Sequence, residues 1–230
     1  LNGKTIETNG NAIQITASGD LTVTGDGTVN NEVGAEKVNN VKNYHTMFRG
    51  VESGKLTITN GTFKSKGSQL VAAFGTAIID GGAFENTAAE VNNVLDSSSM
   101  LFAAGTNALL TMNGGTVTAT AASGDNGIYG IYGADGAKIT LNNGVKVHSS
   151  FAAIGLNNTT SNPAVSITVN GGEYKTINGS LNSTTYPKFC AVLYLPGKSD
   201  VTINGGTFEG SANMRIFSFP YAKTSTNLKI

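Results

Sequence analysis

Apolar and polar residues alternate in short bursts along this chain, and the bursts recur. The clearest is Val201-Thr202-Ile203-Asn204-Gly205-Gly206-Thr207-Phe208. An alternating strand runs into a small polar turn, and a second strand opens with a small residue and a large apolar one. Cognates lie at 56–63, 77–84, 110–117, 139–145 and 167–174. The apolar residue before each turn anchors the repeat: Leu1, Val23, Ile58, Ile79, Met112, Leu141, Val169, Ile203 and Ile230, spaced 21 to 35 residues apart. They bound eight units, the shortest of which shows the unit without insertions. Alternation with period two predicts strands, and no useful stretch keeps the i, i+3, i+4 spacing of an amphipathic helix.

Each unit holds three such segments. Segment A precedes the turn (21–23, 56–58, 138–141, 201–203), and segment B follows it (5–7, 62–64, 83–85, 116–118, 207–209). Segment C is more continuously apolar (12–15, 47–48, 70–74, 100–104, 128–132, 151–156, 191–195, 216–219). Three strands per unit, repeated in tandem, bury an apolar side only by coiling. Each strand then lies parallel to its counterpart one coil away at about 4.8 Å. The expectation is an all-β fold, a single parallel β-helix of about eight three-strand coils filling residues 1–230, roughly 38 Å long. Its B column reads Ile6, Val29, Phe63, Phe84, Val117, Val145, Tyr174 and Phe208, so rings stack inside and a buried Tyr174 needs a partner for its hydroxyl.

The turn between A and B carries the strongest signal. The position after the anchor reads Asn2, Thr24, Thr59, Asp80, Asn113, Asn142, Asn170 and Asn204, which predicts a ladder of side-chain amides from coil to coil. The next position reads Gly3, Gly25, Asn60, Gly81, Gly114, Asn143, Gly171 and Gly205, the residues expected where the backbone turns left-handed. Asn-Gly-Gly-Thr-Phe turns with stacked Asn resemble the right-handed parallel β-helix of the pectate-lyase-like superfamily. The Leu-Asn-Gly-Lys-Thr-Ile opening is similar to such domains in secreted and surface-attached bacterial proteins. The resemblance covers the whole chain. It implies a right-handed solenoid and an extracellular or cell-surface location.

Insertions cluster between B and C, at 30–46, 86–99, 119–127, 175–189 and 210–215, with one between C and A at 157–163. Loops at one phase of a coil emerge along one edge, so they wall the face carried by the C strands and make a candidate groove there. Members of the pectate-lyase-like group place Asp and basic residues on the strands that face the cleft. The C segments here carry only Arg49 and Arg215 as charged candidates, a departure that weighs against lyase or hydrolase activity.

Composition narrows the function classes. Fifteen basic residues balance 15 acidic ones, which gives no broad attraction for nucleic acid or an anionic membrane. No apolar run approaches the ~20 residues of a membrane helix. The single cysteine, Cys190, has no internal partner for a disulfide. The chain opens at Leu1 rather than Met and reads as a segment of a longer chain with neighbouring domains.

Candidate chemistry gathers near the expected groove. Tyr44, Tyr129, Tyr132, Tyr186 and Tyr194 offer flat apolar faces with a hydroxyl, suited to sugar rings. His45 and Arg49 together would grip an anionic group, and Asp96 lies in a neighbouring inserted loop. Glycoside hydrolysis needs two carboxylates about 5–9.5 Å apart; Glu32, Glu36, Glu85, Glu90 and Asp96 are the local acidic groups. No zinc-ligand spacing and no phosphate loop in a strand–turn–helix context are present. Asp26, Asp125 and Asp135 lie in turn sequences without the carboxylate density of a calcium repeat. An outward threonine column (Thr22, Thr57, Thr111, Thr140, Thr168, Thr202) has one Thr per coil rather than paired ranks. No metal or cofactor is expected. The expected function is a non-catalytic, adhesin-like or glycan-contacting module whose partner is a polysaccharide or host glycan. The alternatives are a polysaccharide lyase or glycoside hydrolase with loop-borne carboxylates, and a structural stalk.

Overall fold

The computed structural model describes residues 1–50, 53–67, 69–95, 98–123, 126–157, 163–177, 191–211, 214–219 and 226–230. These residues are all-β, with no helix among them. The chain feeds three parallel ladders in rotation, each of eight rungs. The B ladder runs Thr5–Thr8, Thr28–Asn31, Thr62–Ser65, Ala83–Asn86, then 116–119 and 146–149, then Glu173–Thr176 and Thr207–Glu209. The C ladder runs Ile13–Ile15, Phe48–Gly50, Val71–Ala73, Ser99–Ala104, Tyr129–Ala134, Ile154–Leu156, Ala191–Tyr194 and Arg215–Ser218. The A ladder runs Asp20–Val23, Lys55–Ile58, Thr76–Ile79, then 109–112 and 138–141, then Val165–Val169, Ser199–Ile203 and Thr226–Lys229. Two long strands, Leu109–Ala119 and Lys138–Ser149, pass straight through the A–B turn and weld the A and B ladders into one 14-stranded sheet. The C ladder is a separate 8-stranded sheet. This stacking is compatible with a solenoid.

The alternating pattern explains what each face does. Inward residues of all three ladders form one continuous core that includes Ile58, Phe63, Ile79, Phe84, Leu101 and Ile131. Rings stack within it as the B column requires. Phe63 and Phe84 lie 5.0 Å apart at 20°, and Tyr174 and Phe208 lie 5.1 Å apart at 16°. Such pairs contribute about 0.5–1.5 kcal/mol beyond their burial. The fully buried Tyr174 donates its hydroxyl to the Gly171 carbonyl at 2.9 Å, which supplies the partner that burial demands.

The amide ladder forms over five successive coils. Asn113 Nδ2 donates to Asp80 Oδ1 at 2.6 Å, Asn142 to Asn113 at 2.7 Å, and Asn170 to Asn142 and Asn204 to Asn170 at 2.8 Å each. In the first coils the same position acts differently: Thr59 Oγ1 donates to the Val23 carbonyl instead.

Two expectations need correcting. The left-handed residue of most turns sits one place later than the Gly/Asn column, at Gly61, Gly82, Gly115, Gly172 and Gly206; only Gly3 and Gly25 within that column have positive φ. Glycine in the column answers to crowding between coils instead. A Cβ at Gly81 would stand 2.7 Å from the Thr59 carbonyl oxygen, and one at Gly114 would stand 2.7 Å from that of Asp80. The second correction concerns the B column. Its sixth member is Val147, not Val145, because Val117 pairs with Val147 and Val147 with Tyr174. The register shifts between Met112 and Gly114, where the turn after Leu141 holds one extra residue.

A second inward column, at the ends of the B strands, is buried and mostly polar: Asn31, Ser65, Asn86, Ser149 and Thr176, with Ala119 before Ser149. Asn31 shows its purpose. Its Nδ2 donates to the Gly10 and His45 carbonyls, both at 2.9 Å, and its Oδ1 accepts from the Val33 amide at 3.1 Å. Ser65 accepts from the Gly67 amide, and Asn86 donates to the Gly67 carbonyl. These side chains satisfy backbone groups where the chain leaves the B strand, at the phase where the insertions are placed.

Candidate functional site

The outer face of the C sheet carries one column set by register: Gln14, Arg49, Ala72, Phe102, Tyr132, Gly155, Tyr194 and Ser218. Its two small members, Ala72 and Gly155, would break a run of large side chains. Neighbouring rings close both gaps. Phe74, two residues beyond Ala72, lies under the Arg49 guanidinium at 5.3 Å and against Phe102 at 5.9 Å. Tyr129 lies across Gly155, where an added Cβ would overlap its ring. The Tyr129 ring stands 5.0 Å from Tyr132 and 6.1 Å from Tyr194. Phe102 and Tyr132 stack at 6.2 Å and 12°. The result is an unbroken file: Arg49, Phe74, Phe102, Tyr132, Tyr129, Tyr194.

Exposure divides the file. Arg49 is exposed, and Phe74, Phe102 and Tyr132 are half-buried. Tyr129, Phe151 and Tyr194 form a small apolar cluster outside the main core, with Ala122 and Met214 packed against it. Phe151 braces Tyr129 edge-on at 4.9 Å. The B–C insertions therefore do reach the C face at this end, where 119–127 includes a short hairpin of Ala122–Ser123 against Asn126–Gly127. On the other flank the next outward position is small, Ala104 in register with Ala134. Beyond it stand Asp135 and Asn157, whose amide donates to the Asp135 carboxylate at 3.0 Å. Burial, and then the charge of Asp135, push the Tyr132 phenol up to about 12. The open stretch thus has half-buried rings along its length, a polar flank and a cation at one end.

The structure brings Arg49, Tyr129, Tyr132 and Tyr194 onto this face. It places Tyr44 against the main core instead. His45 is buried at positive φ, with its Nε2 3.3 Å from Glu36 Oε1 but out of line for a hydrogen bond. Both serve the base of an exposed hairpin, Glu36–Val38 against Val41–Asn43. Asp96 and Tyr186 lie outside the described residues, as does Cys190. Phe74, Phe102 and Phe151 escaped the sequence reading. Their signal was present, since Phe102 holds the same strand position as Tyr132, but unequal insertions hid the register of the C strands.

Of the acidic candidates, Glu32 and Glu85 are engaged elsewhere. Glu32 pairs with Lys66 at 2.6 Å and Glu85 with Lys64 at 3.5 Å, while Glu90 is exposed. Among the described residues no three His, Cys, Asp or Glu side chains are placed to hold a metal ion. Comparison with protein-family models, with curated proteins and with solved structures gave no match.

Proposed function

We propose that this chain is a non-catalytic extracellular module, adhesin-like or glycan-contacting, of a bacterial surface or secreted protein. Its scaffold is a single right-handed parallel β-helix of the pectate-lyase-like type. Parallel strands in continuous register support the solenoid, and the strong preference of parallel crossovers for the right-handed sense supports the hand. The observation that carries the functional reading is the open part of the aromatic file, Phe74, Phe102 and Tyr132, flanked by polar groups. A sugar presents apolar C–H patches and hydroxyls together, and a row of half-buried rings beside polar side chains answers both.

The test is a glycan array probed with the wild-type chain, Phe102→Ala and Tyr132→Ala. The reading expects at least one polysaccharide or host glycan to bind and both substitutions to weaken it about tenfold or more. Binding that survives both substitutions would remove the site. No binding to any glycan favours a structural stalk, which the lateral ties of the amide ladder support independently.

A further inference from the structure

Asparagine followed by glycine cyclises more readily than asparagine before a bulkier residue, because no Cβ shields the next amide nitrogen. This chain carries such pairs at most of its A–B turns: Asn2-Gly3, Asn60-Gly61, Asn113-Gly114, Asn143-Gly144, Asn170-Gly171 and Asn204-Gly205. Asn9-Gly10 lies outside the turns, and the side chains of Asn126 and Asn178 lie outside the described residues. Ring closure needs an asparagine amide free to swing onto the following backbone nitrogen, and a nitrogen without another partner. All but one of the described pairs fail that test. Asn113, Asn170 and Asn204 donate their amides within the row. Gly114 and Gly144 are paired with each other in the two long strands, and Asn143 Oδ1 presses on the next coil at Gly171, where an added Cβ would overlap it. The Gly3 amide donates to Asp26 Oδ1 at 2.7 Å. Asn31 clamps the Gly10 peptide, accepting from its amide at 3.5 Å and donating to its carbonyl at 2.9 Å. Asn60 is the exception. In its coil Thr59 takes the row position and turns to the Val23 carbonyl, so no row amide stands there. Asn60 is exposed, and among the described residues nothing bonds its side chain or the Gly61 amide. Gly61 is buried, but so are Gly10, Gly114 and Gly171, so partners rather than burial set this pair apart.

We propose that Asn60 is a site of spontaneous covalent modification, by deamidation, and that the amide row shields its own asparagines from the same reaction. The Gly61 nitrogen attacks Asn60 Cγ. The N–Cγ bond forms, the Cγ–Nδ2 bond breaks, and ammonia leaves with the proton that Gly61 gives up. Water then opens the cyclic imide at either carbonyl, leaving aspartate or isoaspartate. The isoaspartyl product lengthens the backbone by one methylene beside Gly61. The Gly61 carbonyl accepts from the Ala83 amide and the Thr62 amide donates to the Gly27 carbonyl, both at 2.9 Å, so this product loosens the B ladder on both sides. The aspartyl product keeps the backbone length and leaves the ladder in place.

The experiment is peptide mapping by mass spectrometry after the folded chain has stood in warm, mildly alkaline buffer made with heavy-oxygen water, beside a urea-unfolded sample. Asn60 is expected to take up label about fivefold faster than Asn204, or more, because the row bond of Asn204 has to open first. In urea the two rates should converge. Asn60→Gly gives this turn the residue that most coils hold there and should remove the fast site. Asn170→Ala takes away the acceptor of Asn204 and should speed Asn204 about fivefold while leaving Asn60 as it was. Asn170→Asp keeps an acceptor in place and should leave Asn204 slow, which separates loss of the bond from loosening of the fold. Asn60 reacting no faster than Asn204 in the folded chain overturns the assignment. Asn204 unmoved by Asn170→Ala, or sped equally by Asn170→Asp, overturns the shielding.

Discussion

Asp80 is the one carboxylate in the amide ladder, and its place there is chemically specific. It stands at the low-numbered end, where the side chain only has to accept, whereas Asn142 and Asn170 must donate on one side and accept on the other. Asp80→Asn is therefore expected to change stability by less than about 0.5 kcal/mol. Asn142→Ala removes two exposed hydrogen bonds and should cost about 1 kcal/mol. Asn142→Asp should cost more, because it turns a donor into a second acceptor facing Asn113, and the excess should vanish once acid protonates it. Urea unfolding of the three variants at neutral and acid pH checks the order; equal losses for Asp80→Asn and Asn142→Asp would show that direction is irrelevant. A second residue-scale expectation concerns alkali. Burial raises the phenols of Tyr132, to about 12, and Tyr174. A phenol that holds its proton more tightly when folded than its usual ~10 contributes stability that is complete below that pH and fades as pH climbs through the folded value. The melting temperature should fall over that window, and Tyr132→Phe should make the fall shallower.

At the scale of elements, the B ladder's outer face shows how rungs are tied by charge. The His148 imidazole sits 2.7 Å from Glu173, and Lys175 bridges Glu173 at 3.4 Å and Glu209 at 3.0 Å. The hydrogen bond from His148, with help from Lys175, holds the Glu173 carboxyl below the usual carboxylate range. Its contribution is therefore present above the unfolded value of ~4.3 and is lost as pH falls through the lower folded one. His148→Ala should move the Glu173 titration upward, as read from its side-chain carboxyl resonance; an unmoved titration would assign the shift to Lys175 alone. On the C sheet, Gly155→Ala should displace the Tyr129 ring and cost about 1–3 kcal/mol, with a changed near-ultraviolet circular dichroism from the tyrosine cluster. Much of this organisation was legible in the sequence. Every A, B and C segment holds strand residues, and Asn113, Asn142, Asn170 and Asn204 stand in file. The unread part has a physical cause. Alternation fixes which residues point the same way within a strand, but the offset between strands depends on turn length, and one extra turn residue moved Val147 into the place expected for Val145. The aromatic file was half-read for a different reason: Tyr129 and Tyr132 are three apart and reach one face only because the strand departs from strict alternation at Gly130 and Ile131.

For the whole molecule, each rung touches mainly its two neighbours, so stability is close to a sum of rung and interface terms. The terminal rungs are the poorest in burial. Ile6 and Ile13 are 47% and 39% exposed, whereas Ile58, Phe63, Ile79 and Leu141 in the middle are fully covered. Amide hydrogen exchange should therefore slow from both ends toward the rungs around Ala83–Asn86 and Leu109–Ala119, and uniform protection would argue for a single cooperative block. The row of amides adds a property that no single rung possesses. Each group points its N–H toward the preceding coil, so the small dipoles add head to tail and polarise one another. The electropositive pole meets the Asp80 carboxylate, much as an anion sits at the start of a helix. Among the described residues the opposite pole is the Asn204 oxygen, which has lone pairs to offer and no hydrogen to give along the row. A residue that continues the row one coil past Asn204 has to present a proton there: asparagine or serine would lengthen the row, and aspartate would halt it.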